Sequence, residues 1–277
     1  VIVMMAHEPI TPVVRARDVR SAARPSAVQS GLTFDVARAP EDVSDAWACV
    51  YAQYVAQNLI GPSADRLHVV PQAVGPETVV VLGRISGLTV STATVVAHAD
   101  RPVPADRVFA EEIRKLRGTC GRRLVDVELF ADRRSSDIDR TFSAVLELMR
   151  FAIHFSLYSG GNGMLCCVPA ERARLFGRAF GFEQYGTTRT VPTFGGDAVA
   201  LMHATMPDLL ANRSESRTLS HVLENPVLPE VFDARYRFDA ESLEGTNLGG
   251  AVARSMPEMP SRAMGRAGTA PGNEVAR

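Results

Sequence analysis

The chain has 277 residues, with 30 basic and 31 acidic side chains (formal net charge −1) and 46% apolar residues. That balance excludes a protein built mainly to grip the phosphates of a nucleic acid, which needs a basic excess. The apolar share excludes a wholly disordered chain. Four cysteines without a C-x-x-C spacing point to reduced thiols rather than a disulfide frame. The first six residues are apolar but too few, and lack the basic flank, for a secretory signal. No run approaches the roughly 20 apolar residues of a membrane helix. A cytoplasmic protein with no transmembrane segment is expected.

Residues 1–31, with Pro9, Pro12 and Pro25 among arginines and small polar residues, read as a flexible leader. Residues 32–37 alternate apolar and polar as a first strand. Pro40, Glu41 and Asp42 then open a helix whose apolar positions Val43, Ala46, Trp47, Val50, Tyr51, Tyr54 and Val55 recur at three and four. The β-branched runs 78–85 and 88–97 flank Ser86 and Gly87 as a hairpin. Residues 106–117 form an amphipathic helix, 123–131 a strand, and 137–158 a long helix ended by a glycine-rich turn. Residues 164–168 are a buried strand, and a helix follows from Pro169 to about 179. Residues 187–191 and 198–204 make a closing strand pair. The spacing predicts a single α/β unit over 32–206 with a mixed sheet, a helical extension over 207–244, and a flexible tail over 245–277.

In the strand at 123–131 the period of two puts Asp126 and Glu128 on one face, with Val125, Val127 and Leu129 on the other. Two carboxylates in a strand of a mixed sheet suit a general base or an amine-binding group; salt bridges to Arg122, Arg123 or Arg133 are the structural alternative. His98 with Asp100 at a strand end, and His154 within a helix, fit a solvated and a packed histidine better than ligands. Arg114, Lys115, Arg117, Arg122 and Arg123 cluster as a basic patch. They suit an acidic partner or a phosphate, or simply a solvated helix end. Tyr51 and Tyr54 could line a pocket, or pack in the core. No P-loop, G-x-G-x-x-G, G-x-S-x-G or metal-ligand spacing occurs, so no metal is expected.

Three phrases carry a resemblance: AWACVYAQYVAQNLI at 46–60, VPADRVFAEEIRKLRGTCGRRLVDV at 103–127, and VPAERARLFGRAFGFE at 168–183. In order and spacing the chain resembles the GNAT-fold acyltransferases, in particular the long-chain N-acyl amino acid synthases (FeeM-like). These are relatives of the acyl-homoserine-lactone autoinducer synthases. The sequence departs from that pattern: Asp126 stands where the family has glutamate, Arg172 replaces a histidine and Phe176 a tyrosine, and the pyrophosphate loop after the strand is missing. The resemblance implies transfer of a long-chain acyl group from a phosphopantetheine thioester, on an acyl carrier protein or coenzyme A, to the amine of an amino acid. No tightly bound cofactor is implied. It makes Asp126, then Glu128, the proton acceptor. Backbone amides near Leu129, Phe130 and Ala131 become the oxyanion site. The basic cluster becomes the carrier dock, and Tyr51, Tyr54 and Phe176 the pocket. Lactone synthesis, transfer to another small amine, and a non-catalytic carrier-binding module stay open as alternatives.

Overall fold

The computed structural model describes residues 31–99, 101–134, 138–191 and 196–255. The expected leader, Asp100, and the part of the expected tail past residue 255 lie outside the described residues. In chain order the elements are β1 (Leu32–Val36), α1 (Pro40–Ala56), β2 (Thr78–Ile85), β3 (Leu88–His98), α2 (Asp106–Cys120), β4 (Leu124–Asp132), α3 (Ile138–Tyr158), β5 (Gly163–Pro169), α4 (Ala173–Phe180), β6 (Glu183–Gln184), β7 (Arg189–Thr190) and β8 (Ala198–Thr205). The short helices α5 (Met206–Ala211), α6 (Arg217–Glu224), α7 (Pro229–Asp233), α8 (Ala240–Leu243) and α9 (Asn247–Ser255) follow.

One sheet runs β1-β2-β3-β4-β5-β8-β6, with β7 also on β8. Its neighbours are antiparallel except β4 and β5, whose connection through α3 makes them parallel. Period-two alternation divides the apolar side chains between two layers. Val79, Val81, Val95, Val125 and Val127 face a layer built on α3, α4, α6 and α7, with Phe151, Phe155, Phe176 and Phe232. Val80, Leu82, Val96 and Leu124 face a second layer with Trp47, Tyr54 and Phe109 from α1 and α2. Each such side chain, fully buried, contributes about 1.5–3 kcal/mol, so the sheet is held from both sides. Among the described residues no helix is long and apolar enough to cross a membrane.

Two features depart from the sequence reading. Residues 247–255, expected within the tail, form α9, which buries Leu248, Ala251 and Val252, with Leu248 and Val252 packed in the α1 layer. Three apolar residues at i, i+3 and i+4 outweigh the Gly249 and Gly250 that suggested a tail. The second departure lies in β4. Thr94 stands opposite Glu128 but Thr92 stands opposite Ala131, so Leu129 and Phe130 both face Ala93. This is a β-bulge, and Leu129 sits at φ 51°, a left-handed conformation rarely taken by a branched side chain. The extra residue shifts the alternation. Leu129 therefore lies in the α1 layer with Asp126 and Glu128, not with Val125 and Val127.

Candidate active site

The bulge coincides with a break in the sheet. β4 pairs with β5 only from Leu124 to Val127, against Gly163 to Cys166. Beyond that the strands part, and among the described residues the edge of β4 at Glu128, Leu129, Phe130 and Ala131 has no strand partner on the β5 side. A gap at the carboxyl ends of two parallel strands is where α/β sheets commonly take ligands. Backbone N–H groups along such an edge can point at a developing oxyanion.

Asp126 lies just before the gap and is wholly buried. Its Oδ2 accepts the Ala105 amide at 2.7 Å, while Oδ1 has no hydrogen-bond partner among the described residues. Burial holds its carboxyl well above the usual range, with the Glu128 carboxylate adding to the rise and the Ala105 amide opposing it. Glu128, two residues on along the strand, is about 7 Å away by strand rise and keeps 8% of its surface exposed. A buried carboxyl with a raised pKa, an unused oxygen and a second carboxylate beside it has the chemistry to accept a proton.

Beside the gap, β3 and β4 are pinned from α1. Trp47 Nε1 donates to Thr94 Oγ1 at 3.2 Å, directly across the ladder from Glu128. Gln53 Oε1 accepts the Asp132 amide at 2.7 Å. Asp132 and Arg134 form a buried two-pronged pair at 2.9 and 2.8 Å. Tyr54 is buried under the same layer, and its phenol is raised by burial and by the charge of Glu128. The buried thiols are chemically quiet. Burial pushes Cys49 up to about 12, and burial and then Asp126 raise Cys166 and Cys167. Since the thiolate is the nucleophile, burial works against nucleophilic use of these three.

The structure thus brings Asp126, Glu128, Tyr54 and the 129–131 edge together, and separates other expected residues from them. Phe176 packs on Phe180 at 5.7 Å in the opposite layer, across the sheet from Tyr51 and Tyr54. Tyr54 and Phe176 therefore belong to different layers of the sheet. Tyr51 is partly exposed, its hydroxyl bonded to the Ser63 backbone at 2.9 Å. The basic cluster sits toward the Leu124 end of β4, away from the gap. Arg117 donates to Arg101 O at 2.9 Å and Arg123 to Ser159 O at 3.0 Å, while Arg114, Lys115 and Arg122 are exposed. At the gap end, α4 begins four residues after β5 and presents Arg174 and Arg178 on its exposed face. His98 is buried between Glu77 and the Gln72 carbonyl, at 3.4 and 3.2 Å, and His154 bonds the Val222 carbonyl at 2.9 Å. Both hold elements together. Gln53, Thr94 and Ala105 escaped the sequence reading. A polar residue on the apolar face of α1 was the only signal for Gln53, and Ala105 acts through its backbone.

A family model described as N-acyl amino acid synthase FeeM matches residues 45–205, more than half of the chain. No curated protein matches it. Similar solved structures include FeeM, an N-acyl amino acid synthase from uncultured soil microbes, at 18% identity and TM-score 0.56, covering 69% of this chain and 97% of that one. They also include the AHL synthase LasI, at 12% identity and TM-score 0.51, covering 63% and 90%. A third is the CoA-dependent acyl-homoserine lactone synthase BjaI, solved with SAM and isopentyl-CoA, at 16% identity and TM-score 0.51, covering 74% and 99%. At these identities the structures show a shared GNAT-like fold.

Proposed function

This chain belongs to the FeeM family of N-acyl amino acid synthases, which are acyltransferases, and we propose that it moves a long-chain acyl group from an acyl-carrier-protein thioester to the amine of an amino acid by direct attack. The observation that carries this reading is Asp126, buried with a free Oδ1 and a raised pKa at the point where β4 and β5 part.

The steps follow from that geometry. The phosphopantetheine arm enters the gap and lays the thioester carbonyl against the bulged edge of β4, where the amides of residues 129–131 bind the oxygen. The neutral amine attacks the carbonyl carbon and the N–C bond forms. Asp126 Oδ1 takes the N–H proton, directly or through a water beside Glu128. The C–S bond then breaks and the arm leaves as its thiolate. A thiol pKa near about 8.5 makes that departure feasible without a dedicated acid, which accommodates Phe176 and Arg172 where the resemblance expects tyrosine and histidine. The three raised thiols favour direct attack over a covalent acyl-enzyme.

For the donor, exposed cations near the gap suit an acidic carrier. Arg174 and Arg178, one turn apart on α4, are better placed at its mouth than Arg114 and Lys115. Incubation with long-chain acyl-carrier protein or acyl-CoA and a mixed amino acid pool, read by mass spectrometry, tests the reading. An N-acyl amino acid supports it. Intact thioester in the presence of folded protein contradicts it.

A further inference from the structure

We infer that Phe238 is a positioning residue for the acyl transfer, acting through Trp47 on the strand pair that carries Glu128. This rests on the acyltransferase reading above. Residues 232–238 lie outside the matched residues 45–205 and pass from one layer of the molecule to the other. At one end Phe232 belongs to the α3 layer, with the Phe151 and Phe155 rings at 6.4 and 5.4 Å. At the other, Tyr236 and Phe238 belong to the α1 layer. Between them Arg235 donates to the Pro76 carbonyl at 3.1 Å. The Tyr236 amide donates to the Ala37 carbonyl at 2.7 Å, one residue past β1, the outer strand of the sheet. The segment is therefore a strap past the β1 edge, with an aromatic anchor in each layer.

The strap ends on a support of the site. The Phe238 ring stacks on the Trp47 indole, with centroids 5.7 Å apart and planes 14° from parallel, and Tyr236 meets Phe238 edge-on at 5.1 Å. A stacked ring fixes the tilt of the indole, and that tilt aims Nε1 at Thr94 Oγ1, 3.2 Å away. Trp47 and Thr94 are both wholly buried, so losing this bond strands the indole N–H without a partner. Thr94 is the last β3 residue in register before the bulge, and it stands opposite Glu128. Ring, indole and hydroxyl thus hold the backbone where β4 begins to present Glu128 and the 129–131 edge. Phe238 itself holds no reacting group.

Trp47 is the one tryptophan of the chain, so its indole N–H gives a single cross-peak in the NMR spectrum of the full chain. Its exchange with deuterium reads the Thr94 bond independently of turnover. Phe238→Leu keeps an apolar side chain but removes the stacked ring, and Phe238→Tyr keeps the ring. Phe232→Leu makes the same change at the other anchor, across the sheet from Trp47, and measures a merely structural loss. Phe238→Leu should speed indole exchange about tenfold or more. It should lower kcat about tenfold while KM for the acyl donor stays within about twofold. Phe238→Tyr should restore both, and Phe232→Leu should leave both within about twofold of wild type. Thr94→Val removes the acceptor with the strap intact and should reproduce both effects, which keeps the test decisive if Phe238→Leu does not fold. Exchange unchanged in Phe238→Leu or Thr94→Val, or raised equally by Phe232→Leu, overturns the assignment. Acyl transfer by wild type that Phe238→Leu and Thr94→Val leave at full kcat also overturns it, but leaves the acyltransferase reading intact. Faster exchange in both variants, with no thioester consumed by folded wild type, upholds the hold of the strap on Thr94 and overturns that reading instead.

Discussion

The Ala105 amide donates to Asp126 Oδ2 at 2.7 Å, so one oxygen of the buried carboxyl holds the residue next to α2 while the other remains without a partner. This single contact assigns one oxygen to anchoring and leaves the other for the proposed proton transfer, and the two are testable apart.

Asp126→Asn keeps a carbonyl oxygen for Ala105 but no longer takes a proton. Turnover should fall by about 10²-fold or more, with the circular dichroism spectrum unchanged. A folded variant with wild-type turnover would remove Asp126 from the chemistry.

The same substitution should stabilise the fold at higher pH. The native carboxyl has its pKa raised above the unfolded value, mainly by burial. The folded state therefore binds more protons, and its stability falls as pH rises from the unfolded pKa through the native one. Asparagine removes that loss. Tm of Asp126→Asn relative to wild type should thus increase as pH rises above the ordinary carboxylate range, at roughly 2–4 °C per kcal/mol for a domain of this size. A constant difference would mean that Asp126 is not held neutral by its surroundings.

In the acyl-transfer reaction, kcat should rise with pH through an apparent pKa above the ordinary carboxylate range, because Asp126 must lose its proton to act as base. That limb should vanish from the residual rate of Asp126→Asn. Its persistence there would assign the titration to another group.

His68 gives an effect of opposite sign. Burial lowers its pKa to about 4, so the neutral ring belongs to the folded state. Its contribution is fully present above the unfolded value of about 6.5 and is lost as pH falls from there toward 4. His68→Phe should flatten the acid side of the Tm profile, and an unaltered profile would contradict it.

Charge reversal should locate the carrier dock. Arg174→Glu with Arg178→Glu should raise KM for the acyl carrier about tenfold or more while leaving KM for the amino acid unchanged, in keeping with a salt-sensitive docking patch. Arg114→Glu with Lys115→Glu should have the smaller effect, and the reverse order would return the dock to α2.

Much of this architecture is legible in the sequence because the period of two and the 3.6-residue repeat survive nearly intact in β2, β3, β4, α1 and α3. The pairing of Asp126 with Glu128 follows from that same alternation. The bulge does not, because a left-handed Leu129 leaves no mark in a run of strand-forming residues, and it turned Leu129 to the other face. The separation of Phe176 from the tyrosines depends on which side of the sheet α4 packs, a tertiary choice invisible to local pattern. Likewise α9 was hidden by two glycines that its buried Leu248, Ala251 and Val252 override. The contact of Ala105 with Asp126 runs through a backbone amide, which no residue type announces.

The most direct test of the central claim is product mass after purified protein meets long-chain acyl-carrier protein and a pool of amino acids. The geometry at Asp126 predicts an N-acyl amino acid that wild type forms and heat-killed protein does not, at a rate cut about 10²-fold in Asp126→Asn. Unconsumed thioester over the whole pool, with folded wild-type protein, would contradict it.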